Sequence, residues 1–209
     1  MSDAHVIRVL SVDDHPMVRD GIAFALSGQQ DMELVAEATN GREAVCAYEA
    51  HRPHVTLMDL QMPLMNGIQA IATIRQVHPA AKIIVLTTYS GDVQAARAFK
   101  AGAVGYLLKD MLRKDLIETI RAVYRGARIV PPEIANELAE HLGYEGLTDR
   151  EIEVLRSVSG GRSNKIVASH LGVSEDTIKT HMRNILEKLH ANDRTHAVLI
   201  AIHRGFLDA

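Results

Sequence analysis

The stretch Val55-Thr56-Leu57-Met58-Asp59-Leu60-Gln61-Met62-Pro63 restricts the fold of this chain more than any other. Its apolar run lacks polar alternation, so it reads as a strand buried on both faces. Such strands belong to parallel sheets covered by helices on each side. The run ends on Asp59, just before a Met62-Pro63 turn. In an open α/β sheet, ligands sit beyond the carboxyl ends of strands, so Asp59 stands where a side chain can react. A single strand-end carboxylate is ordinarily just solvated, and its meaning depends on how the neighbouring strands end.

Four more short apolar runs precede or follow it, each separated from the next by a helical pattern. Strands are predicted over 6–12, 33–38, 82–87 and 104–108. Helices are predicted over 16–26, 42–50, 68–77, 92–101 and 113–125. Pro16 suits a first helical turn, and Asn40-Gly41 and Asn66-Gly67 open two others. Five strands alternating with five helices imply right-handed crossovers. The predicted fold is α/β, a flavodoxin-like doubly wound (βα)5 unit.

The strand ends share one chemistry. The first ends in Asp13-Asp14, the third in Asp59, the fourth in Thr87 and the fifth in Lys109. Three carboxylates around one crevice repel one another when ionised, and a hard divalent cation relieves that. Mg²⁺ favours a few carboxylates together with water and phosphate oxygens. A carboxylate can also act as a covalent nucleophile and form an aspartyl phosphate, with Lys109 and the Thr87 hydroxyl holding phosphoryl oxygens.

Composition separates the two halves of the chain. Residues 147–209 carry 9 Lys/Arg against 8 Asp/Glu, whereas the preceding residues carry 14 against 18. Charge alone therefore does not argue for nucleic acid in the back half. The single Cys46 forms no intramolecular disulfide, which fits a reducing, cytoplasmic compartment, and no run is long enough to span a bilayer. The eleven His residues lack paired helical ligand spacing, so a zinc site is not expected.

Residues 127–146 read as a linker with a short amphipathic helix over 133–142. After it, Thr148 and Glu151 form a capping-box pattern that opens a helix running to about Ser159. A second helix over 164–171 meets the turn Gly172-Val173-Ser174, and a third runs over 175–189. On the third, Ile178, Met182, Ile185, Leu186 and Leu189 make one core-facing stripe. Lys179, Thr180 and Arg183 then project outward together, flanked by Thr177, Asn184 and Lys188. A closing helix over 195–204 carries Ala197, Val198, Ala201 and Ile202, which suit either packing in their own domain or a dimer contact. This is a small all-α helix-turn-helix domain over 147–209.

Residues 6–126 resemble the receiver domain of two-component response regulators. The matching pieces are Val12-Asp13-Asp14-His15, Met58-Asp59-Leu60-Gln61-Met62-Pro63, Gly67, Leu86-Thr87-Thr88 and Gly105-Tyr106-Leu107-Leu108-Lys109. Leu147-Thr148, Arg150-Glu151, Asn164-Lys165, Val167-Ala168 and the segment from Val173 to His181 resemble the LuxR-type DNA-binding domain. The combination is that of the NarL/FixJ class, with the receiver over 1–126.

The resemblance implies that Asp59 accepts a phosphoryl group from a phosphohistidine on a sensor histidine kinase. It implies that Asp14, Asp59 and the Gln61 backbone carbonyl bind Mg²⁺ directly while Asp13 acts mainly through water. Thr87 and Tyr106 would be the switch pair, turning inward when the phosphate is present. Gln61 and Tyr89 occupy positions resembling those that tune dephosphorylation. Asp110 stands where many receivers have a proline after the lysine. The implied activity is regulatory: the receiver assists its own phosphoryl transfer and slow autodephosphorylation. The phosphorylated protein then binds double-stranded DNA as a homodimer. RNA polymerase is a further partner consistent with this class. Lys179, Thr180 and Arg183 are expected at base edges or adjacent phosphates, and Thr177, Asn184 and Lys188 at phosphates.

Other classes fit less well. A hydrolase using Asp59 as nucleophile commonly needs an acid/base carboxylate two residues later, where Gln61 stands. A dinucleotide binder needs a Gly-x-Gly-x-x-Gly turn after the first strand, where Asp13-Asp14 stand instead. A signalling adaptor that does not touch DNA differs from the leading reading only in the outcome of a DNA-binding assay.

Overall fold

The computed structural model describes residues 6–88, 91–140 and 146–207, with side chains 111–114 and 137 left out. The chain forms two compact units, residues 1–90 with 95–135 and residues 91–94 with 136–209. No described helix is long and apolar enough to cross a membrane.

The first unit alternates β1 (Ile7–Val12), α1 (Pro16–Ser27), β2 (Met32–Ala38), α2 (Gly41–His51), β3 (Val55–Asp59), α3 (Gly67–Val77), β4 (Ile83–Thr87), α4 (Asp92–Ala101), β5 (Gly105–Leu108) and α5 (Leu112–Tyr124). A 3-10 turn, Lys109–Met111, joins β5 to α5. The five strands are parallel in the order β2-β1-β3-β4-β5. That is the flavodoxin-like order, and it places the switch point of the topology between β1 and β3. Every residue of β3 and β4 is buried, as strands covered by helices on both faces require. Val9, Leu57, Ile84, Leu86 and Leu107 pack with Ile22, Leu26, Leu116 and Ile120 of the flanking helices.

Local chemistry sets the helix starts. Pro16 occupies the first turn of α1. The Asn40 side chain accepts from the Arg42 and Glu43 amides at 3.0 Å each. Asn66 and Gln69 form a reciprocal capping box on α3. After α5 the chain returns along the sheet edge: the Tyr106 amide donates to the Ile129 carbonyl at 2.9 Å, and the Ile129 amide to the Val104 carbonyl at 3.1 Å. Ile129 thus extends the sheet beside β5 by one bridge.

A helix α6 spans Pro132–Glu140 with Pro132 as its first residue, and Leu142 of the predicted linker helix lies outside the described residues. The second unit contains α7 (Asp149–Ser159), α8 (Asn164–Leu171), α9 (Glu175–Leu189) and α10 (Arg194–His203). Its core joins Leu155, Val158, Val167, Ile178, Met182, Ile185, Leu189, Ala197 and Ala201. Thr148 and Glu151 make the capping box of α7. Gly172, at φ 66°, ends α8, and the Ser174 hydroxyl accepts the Thr177 amide at 3.1 Å to start α9.

Candidate functional site

The acidic pocket lies at the carboxyl ends of β1, β3 and β5. Asp59 pairs in register with Leu86, and Thr87 with Leu108, so Thr87 and Lys109 follow Asp59 across neighbouring strands. Asp13 is fully buried and Asp59 is 3% exposed. The Lys109 ammonium lies 2.8 Å from Asp59 Oδ2 and 2.8 Å from Asp13 Oδ2. Burial pushes the Asp59 carboxyl above its ordinary range, and the hydrogen bond and charge of Lys109 only partly offset this. For Lys109 burial works downward, but its bonds to Asp13 and Asp59 outweigh it and hold the ammonium charged.

Backbone geometry fixes these side chains. A Cβ at Gly67 would stand 2.0 Å from the Asp59 carbonyl oxygen, so α3 can start this close to the reactive strand end only with glycine. The Gly67 amide donates to the Leu60 carbonyl at 3.0 Å, closing the loop. Within it Leu64 adopts φ 66°, the left-handed region, while 77% exposed. On the other side, Arg19 Nη1 donates to the Asp13 carbonyl at 2.7 Å.

The residues present fit a divalent cation. Asp13, Asp14, His15 and Asp59 each offer one ligand atom, all within 4.8 Å of one another. Asp13 Oδ2 and Asp14 Oδ1 are buried, the first with the Lys109 ammonium at 2.8 Å and the second with His15 Nδ1 at 2.8 Å. Three carboxylates around one lysine leave negative charge that a divalent cation would neutralise. Thr87 and Tyr106 are both buried, and the Tyr106 ring centroid lies 6.0 Å from that of Phe99.

In the second unit, α8, the Gly172 turn and α9 form the helix-turn-helix. Ile178, Met182, Ile185 and Leu189 turn inward, while Lys179, Thr180, Arg183 and Asn184 are exposed and Thr177 is partly so. The Lys179 ammonium sits 3.0 Å from Asp176 Oδ1, and that pairing raises its pKa. The Thr180 hydroxyl donates to the Asp176 carbonyl at 3.0 Å.

Two family models match. Residues 9–121 match the response regulator receiver domain, and residues 145–201 the bacterial regulatory proteins of the luxR family. The chain is a two-component response regulator of the NarL/FixJ class. It is 40% identical over 213 residues to the uncharacterized transcriptional regulatory protein YxjL of Bacillus subtilis, covering 96% of this chain and 97% of that protein. It is 38% identical over 206 residues to response regulator protein VraR of Staphylococcus aureus, covering 96% and 99%. Its structure resembles the RcsB–DNA complex with TM-score 0.69 at 25% identity, covering 95% of this chain and 98% of that one. A receiver followed by a LuxR-type DNA-binding domain makes this response regulator a regulator of transcription.

The receiver brings Asp13, Asp14, Asp59 and Lys109 to one pocket, with Thr87 at the adjacent strand end. Tyr89 lies outside the described residues. His15 joins the pocket although its position in sequence marked it only as a neighbour of the acidic pair. In the LuxR-type domain the Lys188 ammonium lies 2.9 Å from Glu151 Oε2, and its side chain is 20% exposed. Ala197 and Ala201 are fully buried in their own domain's core, and Val198 and Ile202 pack against it partly buried. The side chains of α9 alone could not reveal the Lys188 pairing, because its partner lies 37 residues earlier.

Proposed function

We propose that Asp59 of this response regulator accepts a phosphoryl group from a phosphohistidine of a sensor kinase, and that the phosphorylated protein dimerises on DNA. The observation that carries the reading is the Lys109 ammonium held 2.8 Å from both Asp59 and Asp13 in a buried pocket. In the transfer, an Asp59 carboxylate oxygen forms a bond to phosphorus while the phosphorus–nitrogen bond to the imidazole breaks. The departing imidazole takes a proton from solvent. Lys109 pairs with a phosphoryl oxygen as charge develops there, and the Thr87 hydroxyl donates to another.

Asp14, Asp59 and the Gln61 carbonyl would hold Mg²⁺ directly, with Asp13 acting mainly through water. When bound, the ion neutralises charge on the carboxylates and the phosphoryl oxygens. Asp59 must be ionised to attack, and a cation next to it opposes the upward pull of burial on its carboxyl.

On the DNA side, Lys179, Thr180 and Arg183 face base edges or adjacent phosphates from the first turns of α9, with Thr177 and Asn184 beside them. The LuxR-type domain carries little net charge, so few counterions are released and affinity depends on paired half-sites. The likeness to RcsB, solved as dimers on DNA, supports this reading.

The experiment is selection of genomic duplexes by the full chain with Mg²⁺ and acetyl phosphate. Wild type should enrich a defined set containing paired half-sites, and Asp59→Asn should lose the response to the phosphodonor. Equal enrichment by both proteins, with and without donor, would remove phosphorylation from the account.

A further inference from the structure

We infer that His15 is a fourth ligand to the divalent ion of the Asp59 pocket, and that its imidazole makes the site favour a late first-row divalent ion such as Co²⁺ or Ni²⁺ over Mg²⁺. This rests on the acidic pocket being a cation site. The geometry points to it directly. His15 Nδ1 lies 2.8 Å from Asp14 Oδ1 and 3.3 Å from Asp13 Oδ1. Neighbouring ligand atoms of an octahedral ion with bonds of about 2.1–2.2 Å stand about 3 Å apart, and opposite ones about 4.3 Å. The separation from Asp14, a direct ligand, is close to the first value, and the four-residue cluster closes within 4.8 Å.

The ring is held there by the chain itself. The His15 amide donates to Asp13 Oδ1 at 2.9 Å, turning the residue back over the pair of carboxylates. Its backbone is extended, at φ −86° and ψ 112°, as a residue before proline must be, and Pro16 then starts α1. His15 makes no side-chain cap hydrogen bond to that helix. Its imidazole is therefore available to the pocket rather than committed to the helix end.

The chemistry gives the selectivity. Mg²⁺ takes oxygen ligands and keeps its waters, so an imidazole adds little to its binding. For late first-row ions an imidazole nitrogen replaces water favourably, and affinity rises from Mn²⁺ through Co²⁺ and Ni²⁺. Two or three carboxylates with one imidazole form a mixed oxygen and nitrogen shell that suits those ions.

The test uses the full chain with Mg²⁺, Co²⁺ and Ni²⁺, read by calorimetric titration. Co²⁺ binding is also read by the paramagnetic shift of histidine ring protons. His15→Ala, which removes no helix cap, should weaken Co²⁺ and Ni²⁺ by on the order of tenfold or more, weaken Mg²⁺ by much less, and abolish a shifted imidazole resonance. Excess Mg²⁺ should displace Co²⁺ from wild type, which separates this site from other surface histidines. If His15→Ala binds Co²⁺ as wild type does while Mg²⁺ still binds, the inference fails and the phosphoacceptor reading stands. If wild type binds neither ion in competition, the cation site itself is wrong.

Discussion

The Lys188 ammonium at the end of α9 lies 2.9 Å from the carboxylate of Glu151 in the first turn of α7. Glu151 is 3% exposed and also accepts from the Thr148 amide at 2.8 Å and the Thr148 hydroxyl at 3.0 Å. A buried carboxylate is thus shared between a helix cap and an ion pair that ties two helices of the LuxR-type domain together. Burial works to raise its pKa, and the Thr148 bonds with the Lys188 partner more than reverse this.

Removing one partner leaves the other buried and poorly satisfied. Lys188→Ala should destabilise the domain by about 1–3 kcal/mol, read by denaturant unfolding. Because the folded pKa of Glu151 is depressed, its contribution is present above the unfolded value and is lost as pH falls through the folded one. The difference between wild type and Lys188→Ala should therefore shrink in acid. Unchanged unfolding, together with uniformly weaker DNA binding, would return Lys188 to the phosphate role read from its sequence position.

Asp59 titrates in the opposite sense. Its folded pKa is raised, so its favourable contribution is complete below the unfolded value and lost as pH rises through the folded one. At neutral pH the ionised carboxylate is a net cost that a bound cation removes. Mg²⁺ should raise the melting temperature at neutral pH, by the equivalent of about 2.7 kcal/mol at a hundred times its Kd. The gain should fall as pH drops through the folded pKa and be smaller in Asp59→Asn. An equal Mg²⁺ gain in Asp59→Asn would place the ion elsewhere.

Leu64 holds a left-handed backbone beside the pocket. That conformation costs an L residue roughly 1–2 kcal/mol, while glycine gives back part of the gain as chain entropy. Leu64→Gly should therefore stabilise the receiver by about 0.5–1 kcal/mol, and Leu64→Val, with a branched Cβ, should destabilise it. Equal stability of the two variants would mean that the loop relaxes.

On α9, Lys179 is exposed, whereas Lys188 is paired with Glu151. Lys179→Ala should reduce discrimination between specific and random duplexes by about 1–3 kcal/mol across a salt series. An equal loss on both duplexes would make Lys179 a phosphate anchor.

The parallel sheet and the strand-end chemistry were legible because each depends on short-range pattern. An unbroken apolar run such as Val55–Met58 has one stable setting, and Asp59, Thr87 and Lys109 terminate such runs. The α7 boundary was legible because Thr148 and Glu151 stand at capping-box spacing, and the α9 stripe because its period is helical. Other features depend on distant partners. Ile129 joins the sheet through a single bridge to Gly105, too short to leave an alternating pattern. Glu151 shows as a cap in sequence, but its bond to Lys188 exists only once α7 and α9 pack. Ala197 and Ala201 carry no mark distinguishing core from interface, and only the packed bundle buries them. His15 enters the pocket because the Asp13 turn folds its ring back, which no spacing rule encodes.

The most direct measurement of the central claim is intact-protein mass spectrometry of wild type and Asp59→Asn after incubation with acetyl phosphate and Mg²⁺. Wild type should gain one phosphoryl group, stable in acid and lost in base, and Asp59→Asn should gain none. Equal labelling of the two proteins would contradict the assignment of Asp59 as the phosphoacceptor.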